Sequence, residues 1–295
     1  MITRPSVSEG QLTSCQKSMT ITVCRAGAGN VKFLILGPVE IEAQDGRQVA
    51  PRALKLRALL AYLCAHSGEV VSTARLTEAL WSGAPPRTAL TALHVYVSKL
   101  RQYLHSLGLD AAEMITTQPP GYRFNLGGHD LDLKQFEKKI SKAVELKSLG
   151  CSEEASAALC SAMSLWRGRA LGDLRAMSAF DAVGQCLDER QTFAHMQRFE
   201  IELELGNHQG IIGEIYSLIA EHPTWESLYE YLMVALYRSG RTVEALAAYG
   251  QIRKAMVQDL GVEPGPRVQR LHQAVLSHDP SLALSQDAGL LKLTS

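Results

Sequence analysis

The residues best equipped for chemistry in this chain lie between positions 87 and 106. There Thr91, His94, Val95, Ser98, Lys99, Arg101 and Gln102 recur at the spacing of one helix face. His, Ser, Lys and Gln offer hydrogen-bond donors and acceptors suited to base edges or phosphates, and Arg can reach guanine or phosphate. Val95 and the Thr91 methyl can touch a thymine methyl. A major groove about 12 Å wide admits one such helix. Behind this face Ala89, Leu93, Tyr96, Val97, Leu100 and Leu104 form an apolar stripe, predicted to be buried, which leaves the seven polar-face residues, Arg101 included, facing solvent. Lys55, Arg57 and Arg87, near helix starts, are further candidates for phosphate contact. Tyr122 and Arg123, beside a Pro119-Pro120-Gly121 turn, are candidates to reach an adjacent backbone or minor groove.

Catalysis finds no comparable grouping. Lys17-Ser18 follows Gln16 where a phosphate-binding loop needs glycine, Gly27-Ala28-Gly29 is an isolated fragment, and neither G-x-S-x-G nor H-E-x-x-H occurs. The nine histidines are scattered, so His195 and His272 read as structural residues. Six cysteines, at 15, 24, 64, 151, 160 and 186, make no C-x-x-C pair and have no histidines clustered beside them. They read as reduced core thiols, with no metal or cofactor expected and no catalytic activity. No receiver-like region for a phosphorylation input is visible either. The first 30 residues lack the apolar stretch of a secretory signal, and no window nears the roughly 18 consecutive apolar residues of a membrane span. A cytoplasmic protein without membrane contact is the expectation.

A polar helix face is ordinarily just solvated, so its meaning depends on what positions it. The chain has 295 residues, 46% hydrophobic, with 30 basic and 30 acidic side chains. That is enough apolar material for two domains. Charge is uneven along it: residues 31–127 hold 10 basic and 7 acidic groups, and residues 128–295 hold 17 and 22. The front half is thus the part drawn to a polyanion.

Residues 1–30, rich in Ser, Thr, Gly and Ala, read as a flexible leader. Three short antiparallel strands are predicted next, from the β-rich run at 31–36, the alternating Val39-Glu40-Ile41-Glu42, and Val49 after the Asp45-Gly46 turn. A helix from Leu54 to Leu63 follows, then a second capped by Ser72 that points Leu76, Leu80 and Trp81 inward, then the helix at 87–106. Met114-Ile115-Thr116-Thr117 and Tyr122-Arg123-Phe124 flank the Pro-Pro-Gly turn as a hairpin, or wing. In that context the third helix is the presented element of an α+β winged helix-turn-helix spanning residues 31–127.

From Asp132, where Asp132-Leu-Lys-Gln135 resembles a capping box, to about residue 279 the pattern is all-α. Gly150, Gly206 and Gly240 each precede an apolar residue by five positions (Ala155, Ile211, Ala245) and a larger one by nine (Leu159, Ile215, Tyr249). The step from Gly206 to Gly240 is 34 residues, the period of tetratricopeptide helical hairpins. The longer step from Gly150 implies an inserted helix near 179–205. The second domain, residues 128–279, is therefore predicted to be tetratricopeptide-like and suited to binding proteins, with a tail at 280–295.

Phe33-Leu34-Ile35-Leu36-Gly37-Pro38-Val39-Glu40, Leu76-Thr77-Glu78-Ala79-Leu80-Trp81, Tyr96-Val97-Ser98-Lys99-Leu100-Arg101 and Pro119-Pro120-Gly121-Tyr122 stand in this order. Ala235-Leu236-Tyr237-Arg238-Ser239-Gly240-Arg241 and Leu260-Gly261-Val262-Glu263-Pro264-Gly265-Pro266 follow. With these segments the chain resembles the SARP regulators of actinobacterial antibiotic biosynthesis over about 245 of its 295 residues. It departs from their common pattern at Leu90 and at Val49-Ala50-Pro51-Arg52-Ala53. The resemblance implies an OmpR-like winged helix followed by a bacterial transcriptional activation domain. It also implies a mechanism: a homodimer on double-stranded DNA, side by side on direct repeats overlapping a promoter's −35 region, recruiting RNA polymerase holoenzyme. The alternative from the residues alone is a helical-repeat adapter whose winged helix binds protein. A steep salt dependence of duplex DNA binding separates the two.

Overall fold

A computed structural model describes residues 30–282 of the chain. The chain opens with β1 (Lys32–Leu34), β2 (Glu40–Glu42) and β3 (Gln48–Val49), an antiparallel meander in which the fully buried Phe33 and Ile41 pair directly. A later strand, β7 (Asp130–Leu131), joins β1 in parallel, so the sheet order is β3-β2-β1-β7 and the sheet is mixed where three antiparallel strands were expected. A run of two residues after a Gly-Gly turn leaves too little alternation to be read as a strand.

Three helices follow: α1 (Leu54–Ala65), α2 (Thr73–Trp81) and α3 (Ala89–Ser106). Ser72 caps α2 by accepting from the Arg75 amide, as its position suggested. Between α3 and the wing lies a one-turn helix, α4 (Ala111–Met114), so Met114 is helical and not part of a strand. A second sheet has the order β4-β6-β5, formed by β4 (Val70–Ser72), β5 (Ile115–Gln118) and β6 (Gly121–Phe124). Gly121 is required at the wing's return, because a Cβ there would lie 1.9 Å from the Val71 carbonyl oxygen. Phe33 and Phe124 meet edge to face at 5.3 Å, joining the two sheets through one core.

The rest is helical: α5 (Asp132–Ser148), α6 (Ser152–Met163), α7 (Ser178–Glu204), α8 (His208–Glu221), α9 (Glu226–Arg238), α10 (Thr242–Ala255) and α11 (Pro266–Leu276). Gly150, Gly206 and Gly240 turn three successive hairpins at φ of 76°, 85° and 75°, a region open to glycine at little cost. The apolar residues five positions after them, Ala155, Ile211 and Ala245, are at most 2% exposed. Tyr249 is only half-buried and stacks on His272 at 3.9 Å, which gives that histidine a structural place. The long step between the first two glycines is filled by α7, 27 residues long, and by the connecting segment 164–177.

That segment returns to the first sheet. Arg167 N donates to Leu36 O (2.8 Å) and Leu171 N to Ile35 O (3.1 Å). Asp132, 1% exposed, does not close a capping box with Gln135. One of its carboxylate oxygens accepts from the Ile35 and Leu36 amides (both 2.8 Å) and the other from Leu133 N (2.8 Å). Burial raises its pKa, and the three amides and the Arg167 guanidinium only partly offset that. Arg167 itself pairs with Glu40 and donates to Pro38 O at 2.9 Å. One apolar cluster accordingly runs unbroken from Val31 through α1 to α3 and on to Ile201 in α7, and a second occupies Phe199 to Leu282. The division of the core falls inside α7, about seventy positions beyond the start of the helical half.

The cysteines depart from the core-thiol expectation. Cys64 alone among the described four is buried, which pushes its thiol pKa well up, whereas Cys151 is half-buried and Cys160 and Cys186 are exposed. Cys15 and Cys24, with the leader at 1–29, and most of the tail, 283–295, lie outside the described residues. No helix among the described residues is long and apolar enough to cross a membrane.

Candidate nucleic-acid interface

α3 is held from behind and from one side. Leu93, Val97, Leu100 and Leu104 are at most 1% exposed and lock the helix onto α1 and α2. Tyr96, expected in the same stripe, is half-buried and packs on Trp81 with ring centroids 6.0 Å apart. The opposite side of the rod is open: Thr91, His94, Val95, Ser98, Lys99 and Gln102 are all exposed, and none has a side-chain partner among the described residues. No part of the described helical domain covers them. Arg87, in the turn before the helix, is exposed and equally unengaged.

Arg101 behaves differently from its neighbours on the same stripe. It is half-buried, and its Nε and one terminal nitrogen donate to Ile115 O at 3.1 and 2.6 Å, the latter also to Thr117 Oγ1 at 3.2 Å. Its guanidinium carbon lies 6.0 Å from the Tyr122 ring centroid. The expectation that Arg101 faces solvent is therefore corrected. Spacing placed it at the edge of the polar face, and that edge abuts the wing, whose strand carbonyl needs a donor.

Lys55, Arg57 and Tyr122 are also engaged within the fold, whereas the half-buried Arg123 side chain has no partner among the described residues. Lys55 donates to Leu80 O at the end of α2 and sits 5.5 Å from the Trp81 ring centroid. Arg57 lies 2.8 Å from an Asp173 carboxylate oxygen, close enough to pair charges although its Nε–H is not aimed for a hydrogen bond, and donates to Pro51 O at 3.3 Å. Tyr122 is 6% exposed, a core residue of the wing. Arg123 occupies the central strand, opposite Val70 and Thr116, and not the hairpin tip. The tip is Pro119-Pro120, joined by a cis peptide bond.

Sequence reasoning noted Leu90 only as a departure from the family pattern and passed over His105. Leu90, 51% exposed, precedes His94 by one turn, and His105 extends the open face to the last turn. The i, i+4, i+8 series of Leu90, His94 and Ser98 was the available signal for Leu90, obscured by its apolar type. The open face thus combines polar groups with two apolar side chains, Leu90 and Val95 (46% exposed), a mixture able to meet both the hydrogen-bonding edges and the methyl groups of base pairs.

A winged helix with its third helix open, welded to a stack of helical hairpins, defines the architecture of a DNA-binding transcriptional regulator. Comparison with known proteins agrees in both halves. The family described as transcriptional regulatory protein, C terminal, matches residues 50–124, and the bacterial transcriptional activator domain matches residues 131–276. The regulatory protein DnrI of Streptomyces peucetius is 35% identical over 253 residues, which are 84% of this chain and 93% of DnrI. The transcriptional regulatory protein EmbR of Mycobacterium tuberculosis is 34% identical, over 86% of this chain and 66% of EmbR. AfsR of Streptomyces coelicolor is 35% identical over 87% of this chain, which spans only 25% of AfsR. A solved structure of Mycobacterium tuberculosis EmbR in complex with a low affinity phosphopeptide superposes with a TM-score of 0.79, covering 85% of this chain and 66% of that one. The chain belongs to the SARP family of regulators.

Proposed function

We propose that this protein is a sequence-specific DNA-binding transcriptional activator without catalytic activity. It works in the cytoplasm on the promoter of a gene cluster for secondary-metabolite, antibiotic-type, biosynthesis. The observation that carries the reading is the division of labour on α3: its inner stripe and Arg101 are engaged by the fold, while Thr91, His94, Val95, Ser98, Lys99 and Gln102 have no partner among the described residues. In a major groove the N-terminal turns of α3 present Thr91, His94 and Val95 to base edges. Lys99 and Arg87 then lie toward the phosphates. Arg101, tied to Ile115, acts as a positioning residue that sets the wing against the helix. Arg123 and Tyr122 act from within the wing sheet in the same sense.

Charge favours tandem binding. Residues 31–127 carry 10 basic groups against 7 acidic, and Lys55, Arg57 and Arg101 among them are spoken for. One protomer then neutralises few phosphates and holds DNA weakly at physiological salt. Two protomers side by side on direct repeats one helical turn apart, near the −35 region, gain affinity by linked binding and set their helical domains beside RNA polymerase.

Footprinting the protein on promoters of its own gene neighbourhood, combined with a salt titration of the complex, tests this. A protected direct repeat and a steep loss of affinity with rising salt are expected. No duplex binding at low salt would return the protein to the adapter class.

A further inference from the structure

α5 and α7 stand as the two walls of a groove, with Leu159 of α6 at the bottom of one end. The central part, about 530 Å³, is lined by Phe136, Ile140 and Phe193, and it continues past Val144 in a further 250 Å³ hollow. Phe193 is 55% exposed and Val144 51%, so two large apolar side chains remain in solvent on facing walls. Their exposure has no use inside the described fold, and an apolar patch of this kind, rimmed by charge, is the usual mark of a docking site. Two ion pairs bridge the walls, Glu137–Arg190 at 2.6 Å and Lys147–Glu200 at 2.9 Å, and hold the width between them.

Charge says what fits. Residues 128–295 are acidic on balance, and nearly every described cation among them is bonded to a neighbour. Among the described residues four are not: Lys254, and then Lys134, Lys138 and Lys142, which follow one another at i, i+4 and i+8 along the solvent-facing crest of α5, Lys138 and Lys142 each adjoining in sequence a residue of the groove, Glu137 and Ser141. Three unneutralised lysines in one row beside an apolar trough, in an otherwise acidic half, form a rail for negative charge. Glu189, exposed on the opposite lip, carries the other sign.

We infer that the groove between α5 and α7 receives an amphipathic helix of a partner protein, its apolar face on Phe193 and Ile140 and acidic side chains along one flank against Lys134, Lys138 and Lys142. This is helix-in-groove recognition, with the pockets supplying affinity and the rail supplying orientation. It is independent of whether α3 reads DNA.

The test uses the full chain and two labelled model peptides of about four helical turns, alike in their leucine face, one flanked by Glu and one by Lys. Fluorescence anisotropy is expected to show binding of the Glu-flanked peptide only. Phe193→Asp should weaken it at least tenfold, on the order of a central interface contact. The triple change of Lys134, Lys138 and Lys142 to Glu should lose it and gain the Lys-flanked peptide. Phe193→Ser, at the same exposed position, stands in if the aspartate variant misfolds.

Four results would overturn the inference: no binding of the Glu-flanked peptide, equal binding of both, indifference to both Phe193 variants, or indifference to the lysine reversal. Self-association of the wild type in sedimentation that Phe193→Asp dissolves would assign the groove to a second copy instead. Peptide binding that emerges only after removal of residues 1–29 or 283–295 would assign it to the chain's own ends.

Discussion

The two sides of the winged helix treat the same kinds of residue in opposite ways. On the sheet side, Asp132, Arg167, Arg57 and Asp173 are paired across the junction with the helical domain, and Asp132 alone satisfies three backbone amides. On the α3 side, Lys99, His94, Thr91 and Gln102 have no partner among the described residues. A charge that the fold uses is a structural part, and one that the fold leaves in water is available to another molecule. The contrast also makes the junction rigid: a shared core and buried polar ties fix the helical domain relative to α3, so a partner held by one is oriented by the other.

The strongest break of this contrast is Asp132→Ala. It strands the amides of Ile35, Leu36 and Leu133 in a buried site and should cost at least about 3 kcal/mol in a denaturant titration. A loss below about 1 kcal/mol, the size of an ordinary neutral hydrogen bond, would show that the junction is not held by this carboxylate. Arg101→Ala comes next. It removes charge-assisted bonds to Ile115 O and should cost about 1–2 kcal/mol of stability, which no exposed base-reading residue would do. An unchanged unfolding midpoint would return Arg101 to the open face.

Lys99→Ala should leave stability within about 0.5 kcal/mol yet reduce the slope of log affinity against log salt by about 0.9. An unaltered slope would remove Lys99 from the phosphate contacts. The smallest effect is in pH. Burial raises the pKa of Glu214, but hydrogen bonds from His195 (2.5 Å) and the Arg198 charge outweigh it and hold it below the ordinary value of 4.5. The stability it contributes is present above pH 4.5 and lost as pH falls through the lower folded value. Asp132 runs the other way: its folded pKa lies above 3.8, so the pH-dependent part of its contribution is present below 3.8 and lost as pH rises through the raised value, while its bonds to the three amides persist. Glu214→Gln should therefore flatten the acid limb of unfolding midpoint against pH. If the wild-type curve persists, the cluster on α7 and α8 adds nothing there.

Much of the fold was legible because it is written in local repeats. The apolar spacing of α1, α2 and α3, the Ser72 cap, the Pro-Pro-Gly wing and the three glycines of the hairpins each follow from backbone geometry within a few residues. Three parts were hidden: β7 was too short to alternate, Arg101 shared the periodicity of a face it only borders, and Asp132 imitated a cap while bonding residues 96 and 97 positions away. Of the twelve residues proposed for the interface, the six exposed ones on α3 share the open face that helix spacing predicted, and Arg87 lies exposed in the turn before it. That Lys55, Arg57, Arg101 and Tyr122 are engaged within the fold, and that Arg123 sits in the central strand of the wing, was not legible, because residue types say only what they can bond, not which groups fold up beside them.

By itself the order of residues determined the winged helix, the helical hairpins behind it and the identity of the helix turned outward, since period and turn chemistry act through neighbours in the chain. Tertiary structure alone decided which cations are spent inside the protein, where the two cores divide, and that a lysine rail borders an apolar trough. Those depend on pairs brought together across scores of residues, where the energy of a side chain is set by what surrounds it and not by what adjoins it in sequence.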